Sequence, residues 1–152
     1  MKSFTHSFEI KASLDKVWEF YTNIRHLEMI TPPEMRLEIL STTDERISEG
    51  SETWLSSKIL LKTKWHSRIV SLKPYRYVDE MIISDTKNPL FKYWSHEHIF
   101  KGDDKHTIVI DNIRLKLPFG VFGRFFESYA SARLKKIFKY REAATRRYLE
   151  QS

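Results

Sequence analysis

The feature that most constrains this chain is a long series of strand-like segments divided only by short turns. Between residues 35 and 117 the separators include Glu49-Gly50, Lys73-Pro74, Asn88-Pro89 and Gly102-Asp103-Asp104. None is long enough for a crossover helix, so neighbouring strands should be antiparallel. The predicted strands are 35–42, 51–61, 63–73, 76–83, 92–101 and 106–117.

Other elements are expected on both sides of this series. Residues 4–10 alternate apolar and polar side chains, which predicts a further strand. Ser13 is a suitable N-cap for a short helix, and a second short helix, capped by Asn23, would end at Thr31 before Pro32-Pro33. After Pro118 the period changes, and 121–150 predicts one long amphipathic helix. Its expected apolar face comprises Phe122, Phe126, Ala130, Ile137, Ala144 and Tyr148.

These elements define the expected fold class. A single antiparallel sheet has one face to bury, and only the last helix is large enough to cover it. The sequence therefore predicts an α+β domain in which a curved sheet grips a helix. With 152 residues and no cysteine, the chain should form one domain, 1–152, without disulfides. No apolar stretch approaches the roughly 18 residues of a membrane span, and no signal peptide is visible, so we predict a cytoplasmic protein.

The net charge of +6 is concentrated at the C-terminal end. Residues 118–152 contain eight basic and three acidic side chains, whereas the rest of the chain is nearly balanced. A basic helix can attract nucleic acid, an anionic membrane or an acidic protein partner, and a solvated helix face is the simpler interpretation. No nucleic-acid motif accompanies the charge, so no DNA partner is expected.

Two histidines lie on an otherwise apolar strand face. Trp94, His96, His98 and Phe100 share one face by parity, and Asp111 shares a face with apolar residues of the next strand. A turn at Asp103-Asp104 would place Asp111 directly across from His96. Because a buried carboxylate beside an imidazole is costly unless paired, the pair could be a polar anchor in a pocket, a satisfied core hydrogen bond or an acid–base pair.

A metal site is the less favoured interpretation of these histidines. His96 and His98 could provide two ligands, with Asp111 or His6 as a third. However, the chain has no cysteine, and Glu97 points to the opposite face, so His96-Glu97-His98 is not a three-ligand unit. We therefore predict no metal.

Two neighbouring strands mix bulky and small side chains on their inward faces. Leu55, Ser57 and Ile59 alternate on one strand, and Trp65, Ser67 and Ile69 on the next. This mixture indicates a cavity for an amphipathic ligand, for which at least about 300 Å³ is usual, although the serines could instead make room for the helix. Arg133 and Arg141 could point into the cavity or reach water. The residues expected to be solvent-exposed on the outer face are Trp54, Lys64, His66 and Arg68.

Strings along nearly the whole chain resemble the START-like superfamily, also called SRPBCC or helix-grip. The resemblance is closest to its small stand-alone ligand-binding proteins, which are related to polyketide cyclases/dehydratases and coenzyme-Q-binding proteins. The Trp94-x-His96-x-His98-x-Phe100 string and the Leu117-Pro118-x-Gly120 helix entry are its most specific parts. The other strings are Phe8-Glu9-Ile10, Val17-Trp18-Glu19-Phe20, Leu27 to Pro33, Glu49-Gly50, Trp65-x-Ser67-Arg68-Ile69, Tyr77-Val78-Asp79-Glu80, Asn88 to Tyr93, Thr107 with Asp111, Gly123, and Ile137-Phe138-x-Tyr140-Arg141.

The resemblance implies seven strands around the C-terminal helix, with a cavity between them. The favoured hypothesis is a carrier or sensor for a small hydrophobic or amphipathic molecule (lipid, quinone or polyketide-like) that needs no cofactor. One alternative is a cofactor-free cyclase or dehydratase using His96 and Asp111 as an acid–base pair. Another is an interaction module using the basic helix. The predicted ligand-binding residues are Leu55, Trp65, Ser67, Trp94, His96, His98, Asp111, Phe126, Tyr129 and Arg133.

Overall fold

The computed structural model describes residues 1–59, 61–82, 90–118 and 123–150. The helices are α1 (Leu14–Tyr21), α2 (His26–Met29), a 3₁₀ helix (Pro33–Met35) and α3 (Gly123–Leu149). The strands are β1 (Lys2–Ile10), β2 (Glu38–Thr42), β3 (Glu52–Lys58), β4 (Lys62–Lys73), β5 (Arg76–Met81), β6 (Tyr93–Gly102) and β7 (Thr107–Lys116).

All seven strands form one antiparallel sheet in the order β1-β7-β6-β5-β4-β3-β2. This confirms the α+β fold class and the antiparallel pairing expected from the short turns. The expected strand 35–42 begins later than predicted, because Pro33–Met35 is a 3₁₀ helix and Arg36 has a left-handed φ of 46°. The predicted turn at Asn88-Pro89 lies outside the described residues, as do Gly120 and Phe122 of the expected helix entry.

The two short helices lie in the chain segment between β1 and β2. Ser13 caps α1, since its Oγ accepts a hydrogen bond from the Lys16 backbone N at 3.2 Å. Helix α2 is a single turn and begins at His26, because Asn23 instead holds a turn in which its Oδ1 accepts from Arg25 N at 3.0 Å. The side chains that α1 buries are Val17, Phe20 and Tyr21.

Helix α3 packs on the sheet along its middle and C-terminal parts. Ala130, Ile137 and Ala144 are buried as predicted, whereas Phe126 and Tyr148 are 45 % and 42 % exposed. They lie at the right angle around the helix but near its two ends. Periodicity therefore identified the buried face, although not how far along the helix that face is covered. Further buried α3 side chains are Leu134, Phe138, Arg141, Thr145 and Leu149.

The β6–β7 hairpin differs in register from the prediction. Asp111 is the cross-strand partner of His98, and His96 is paired with Ile113. The turn lies one residue later than expected: Asp103 N donates to His106 O at 2.9 Å, and Asp103 Oδ1 accepts from Lys105 N and His106 N. This moves the pairing by two residues, so each side chain keeps its predicted face.

The outer face of the sheet is not uniformly exposed. His66 is only 2 % exposed, which corrects the expectation that it faces solvent. Its cross-strand partner Trp54 stacks on it with ring centroids 4.4 Å apart, and Glu52 Oε1 lies 3.1 Å from its Nε2. Within the described parts of the chain, no helix has the length and apolarity required to cross a membrane.

Candidate functional site

A cavity of about 180 Å³ lies between the inner face of the sheet, the α1–β2 segment and α3. This is smaller than the roughly 300 Å³ expected for a ligand site of this type. Six of the ten predicted ligand-binding residues line it. They are Leu55, Trp65, Ser67, Trp94, His96 and His98.

The other four predicted residues lie elsewhere. Asp111 is fully buried behind the lining, where it contacts the two histidines. Phe126 and Tyr129 are 45 % and 59 % exposed and are not among the lining residues, so the expectation that they form a cavity wall is wrong. Both belong to the first turns of α3. Arg133 also lies outside the lining, and its Nε donates to Ile59 O at 3.0 Å.

The wall of the cavity combines aromatic rings with hydroxyl groups. Trp65 and Trp94 meet edge to face with centroids 5.4 Å apart. Ser57 and Ser67 both line the cavity, next to hydroxyls from Ser51 and Thr53. The inward strand faces are therefore amphipathic, as the alternation of large and small residues predicted.

The polar end of the cavity consists of two stacked imidazoles held between two carboxylates. The rings of His96 and His98 are 3.6 Å apart with an interplanar angle of 27°. His96 Nε2 lies 2.8 Å from Asp111 Oδ1, and His98 Nε2 lies 2.6 Å from Asp79 Oδ2. The remaining ring nitrogens approach the opposite carboxylates, with His98 Nδ1 3.5 Å from Asp111 Oδ1 and His96 Nδ1 4.0 Å from Asp79 Oδ2.

The contact between His96 and Asp111 agrees with the predicted pair, although its geometry is diagonal. The two residues are offset by one cross-strand step, since Asp111 is paired with His98. Diagonal neighbours on one face of a sheet remain within reach of long side chains. His96 and Asp111 therefore meet because both lie on the inner face of the sheet, as parity predicted.

Asp79 is the residue of this cluster that was missing from the predicted site. It lies on β5, where Tyr77, Asp79 and Met81 alternate toward the cavity. The same period-two test that selected Trp94, His96 and His98 would have selected it. Its Cα partner across the β5–β6 ladder is His96.

Arg141 of α3 lies at the polar end of the cavity, on the side formed by the helix. It is buried, lines the cavity, and its guanidinium lies over the rings of Tyr21 and Phe138 at 5.1 and 5.6 Å. One terminal nitrogen is 4.0 Å from Asp111 Oδ1. Of the two arginines considered from the sequence, Arg141 is the one that faces the cavity.

Burial and charge act in opposite directions on these groups. Burial alone would raise the pKa of Asp111, but the Arg141 guanidinium and the hydrogen-bonded His96 outweigh it and hold that pKa well below its usual range. Burial alone would also raise the pKa of Asp79, but the hydrogen bond from His98 and the charges of His98, His96 and Arg141 together outweigh burial and lower that pKa. Burial and the neighbouring His96 lower the pKa of His98 to about 4, so His98 is neutral at pH 7.

The protonation states assign the hydrogen bonds. An ionised carboxylate only accepts, so His98 donates from Nε2 to Asp79, and His96 donates from Nε2 to Asp111. In the neutral tautomer, Nδ1 of His96 then carries a lone pair. Burial raises the pKa of Tyr21 to about 12, so its hydroxyl stays protonated; it lies 2.7 Å from Thr145 Oγ1.

Asp79, His96 and His98 also have the composition of a metal site. One ligand atom from each lies within 4.8 Å of the others. A metal bound to an imidazole nitrogen lies in the plane of that ring, because the nitrogen lone pair does. The two rings are stacked at 3.6 Å and only 27° from parallel, so their planes meet too far from the ring nitrogens for one ion to bind both rings without a ring rotation. The packing of the two rings therefore favours a hydrogen-bonding role.

Together the sheet, the enclosing helix and the internal cavity define a helix-grip, START-like protein. The family "Polyketide cyclase / dehydrase and lipid transport" matches residues 10–139, and the chain belongs to this family. No curated protein matches the sequence.

Solved structures of low sequence identity share the fold. A START superfamily protein from Mycobacterium smegmatis has a TM-score of 0.72 at 14% identity, covering 98% of this chain and 97% of its own. The Zhui aromatase/cyclase from Streptomyces sp. R1128 has a TM-score of 0.67 at 18% identity, covering 96% and 89%. Norcoclaurine synthase from Thalictrum flavum, in complex with dopamine and hydroxybenzaldehyde, has a TM-score of 0.67 at 16% identity, covering 99% and 88%. At such identities the likeness concerns the fold alone.

Proposed function

We propose that this protein binds a small amphipathic molecule of about one ring between the sheet and α3. The observation that carries the proposal is a cavity with aromatic walls and one polar end, where His96, His98, Asp79 and Arg141 meet. An interior that served only packing would be filled by aliphatic side chains at native density. Membership of a family described as including lipid transport supports the same conclusion.

The volume limits the size of the ligand. A cavity of about 150 Å³ in another protein accommodates benzene, and this one measures about 180 Å³. A single ring with a short polar substituent therefore fits, whereas a long lipid chain would extend beyond the enclosed space. The aromatic part would contact Trp65 and Trp94, and the polar part would lie near His96.

Tryptophan fluorescence tests this proposal directly. Phenol, indole and cyclohexanol serve as probes, with palmitate as a long-chain comparison. Trp65 and Trp94 line the cavity, whereas Trp54 lies on the outer face against His66. Binding should change the fluorescence of the wild type and of Trp54→Phe, and the change should shrink in Trp65→Phe.

A cavity-filling variant provides the decisive comparison. Ser57→Leu adds bulk inside the cavity, and Ser41→Leu adds the same bulk at an exposed position. Ser57→Leu should weaken binding of the single-ring probes at least about tenfold, because it removes the volume that they need. Equal affinities in the two variants, or no saturable binding of any probe to the wild type, would refute the proposed site.

A second candidate function is supported by the 2.8 Å contact between His96 and Asp111. Asp111 fixes one tautomer of His96 and leaves Nδ1 as a base on a side chain that lines the cavity. This arrangement suits proton abstraction beside a carbonyl, as a cofactor-free cyclase or dehydratase requires.

Dehydration of a small β-hydroxy ketone, followed by absorbance of the enone, tests the catalytic candidate. Positioned general bases contribute about 10²–10⁴-fold, so His96→Ala should lower the rate by that order. His66→Ala, which removes a buried histidine of the outer face, is the matched control. A wild-type rate no faster than buffer, or equal rates in the two variants, would eliminate this candidate.

A further inference from the structure

The polar end of the cavity carries more negative than positive charge. Asp79 and Asp111 are both ionised at neutral pH, and Arg141 is the one permanent cation among the described lining residues. Arg141 lies next to Asp111, 4.0 Å from its Oδ1, and its guanidinium is also held over the ring of Tyr21. The Arg141 charge therefore balances the buried Asp111 first.

Asp79 is left as the accessible carboxylate. Its side chain is 22% exposed and lines the cavity, and its Oδ2 accepts one hydrogen bond from His98. Among the described residues no lysine or arginine nitrogen forms an ion pair with it, and no hydrogen bond reaches its Oδ1. An ionised carboxylate in apolar surroundings favours a cationic partner.

The two imidazoles at this end also have no free N–H donor for a ligand. His98 already uses its Nε2 hydrogen on Asp79, and His96 uses its Nε2 hydrogen on Asp111, so Nδ1 of a neutral His96 presents a lone pair. Nδ1 of His96 lies 4.0 Å from Asp79 Oδ2, so both acceptors can serve one donor group. A protonated amine offers three hydrogens and no acceptor, which complements this arrangement.

We propose that the cavity selects a ligand carrying a protonated amine on a single ring, with Asp79 as the counter-ion. This inference rests on the binding function proposed above and specifies its ligand class. A ligand carboxylate would instead meet Asp79 at close range, and the one available cation, Arg141, is already paired with Asp111.

Three ligands of nearly equal size test the charge preference by isothermal titration calorimetry. Benzylamine is cationic, benzyl alcohol neutral and benzoate anionic at pH 8, where histidine is ordinarily neutral. Benzylamine should bind about 10–100-fold more tightly than benzyl alcohol, the range expected for a hydrogen-bonded charged group. Benzoate should bind most weakly.

Variants then assign the preference to one side chain. Asp79→Asn keeps the shape but removes the charge, so benzylamine should lose about 10–100-fold while benzyl alcohol changes little. Asp104→Asn, in the exposed β6–β7 turn, should leave all affinities unchanged. Thermal unfolding checks that Asp79→Asn is folded, and the wild-type series decides the charge preference without any variant.

Each outcome has a distinct meaning. Equal binding of benzylamine and benzyl alcohol, or tightest binding of benzoate, overturns the amine inference while the binding function stands. An amine preference that survives Asp79→Asn overturns the role of Asp79. If none of the three ligands binds at millimolar concentration, both the inference and the proposed single-ring binding site fail.

Discussion

Asp111 and Arg141 carry opposite charges and are buried next to each other, so removing one of the two charges should destabilise the protein. Asp111 is 0% exposed and Arg141 is 8% exposed, with 4.0 Å between their nearest charged atoms. Asp111→Asn removes the negative charge while keeping the size and an acceptor for His96. The Arg141 guanidinium would then remain buried beside a neutral amide.

The expected magnitude follows from the cost of an uncompensated buried charge. Removing one partner of a buried ion pair costs about 3–5 kcal/mol. The lower end applies here, because the pair is separated by 4.0 Å and Asp79 remains nearby. Against a typical total stability of about 5–15 kcal/mol, a loss of about 3 kcal/mol is large.

Urea unfolding, followed by far-ultraviolet circular dichroism, measures this loss. With a slope of about 1–3 kcal/mol per molar urea, the midpoint should fall by about 1–3 M. Adding Arg141→Met removes the orphaned cation, so the double variant should be more stable than Asp111→Asn alone. Asp104→Asn, an exposed substitution, should stay within about 0.5 kcal/mol of wild type.

Two results would refute this reasoning. An Asp111→Asn protein within about 1 kcal/mol of wild type would mean that the Asp111 charge does not compensate Arg141. The single variant Arg141→Met completes the comparison. If the double variant loses as much unfolding free energy as Asp111→Asn and Arg141→Met lose separately when added together, the two side chains contribute independently.

Three further predictions concern other parts of the fold. Gly102→Ala should destabilise the protein by about 1–3 kcal/mol in urea unfolding, because a Cβ there would lie 2.1 Å from His106 O; an unchanged midpoint would show that the hairpin adjusts. Because His98 titrates at about 4 when folded and near 6.5 when unfolded, the unfolded chain binds the extra proton between these values. The contribution of His98 to the unfolding free energy should therefore be fully present above pH 6.5, and the unfolding free energy should fall by on the order of 2 kcal/mol from pH 7 to pH 5. The same pH dependence of unfolding free energy in wild type and His98→Gln would contradict this. Leu134→Ala, at 3% exposure on the cavity wall, should cost about 2–5 kcal/mol of unfolding free energy, whereas a loss below about 1 kcal/mol would imply that α3 collapses into the space.

Much of the fold was predictable because it depends on local patterns. Period-two alternation, short turns and the change of period after Pro118 are enough to indicate antiparallel strands followed by one helix. Parity placed Trp65, Ser67, Trp94 and His96 on the inner face, and all four line the cavity. The turn was predicted at Asp103-Asp104, whereas the structure has it one residue later, so the predicted register was wrong by two residues although the faces were right.

The burial of individual side chains was less predictable than the face on which they lie. Phe126 shares the helix angle of buried residues, yet it is 45 % exposed near the first turn of α3. His66 points to the outer face, yet it is buried because Trp54 of the next strand lies over its ring. In both cases exposure depends on a neighbour that is distant in sequence, and no local pattern contains that information.

The sequence by itself determined which side chains of each strand face inward, the long C-terminal helix, and the mixture of aromatic and polar side chains in the interior. The tertiary structure alone decided that Asp79 of β5, Asp111 of β7 and Arg141 of α3 converge on the stacked His96 and His98. Side-chain period follows from backbone geometry within one element. The charge balance of a buried site depends on distances between elements, which register and helix docking set only when the chain has folded.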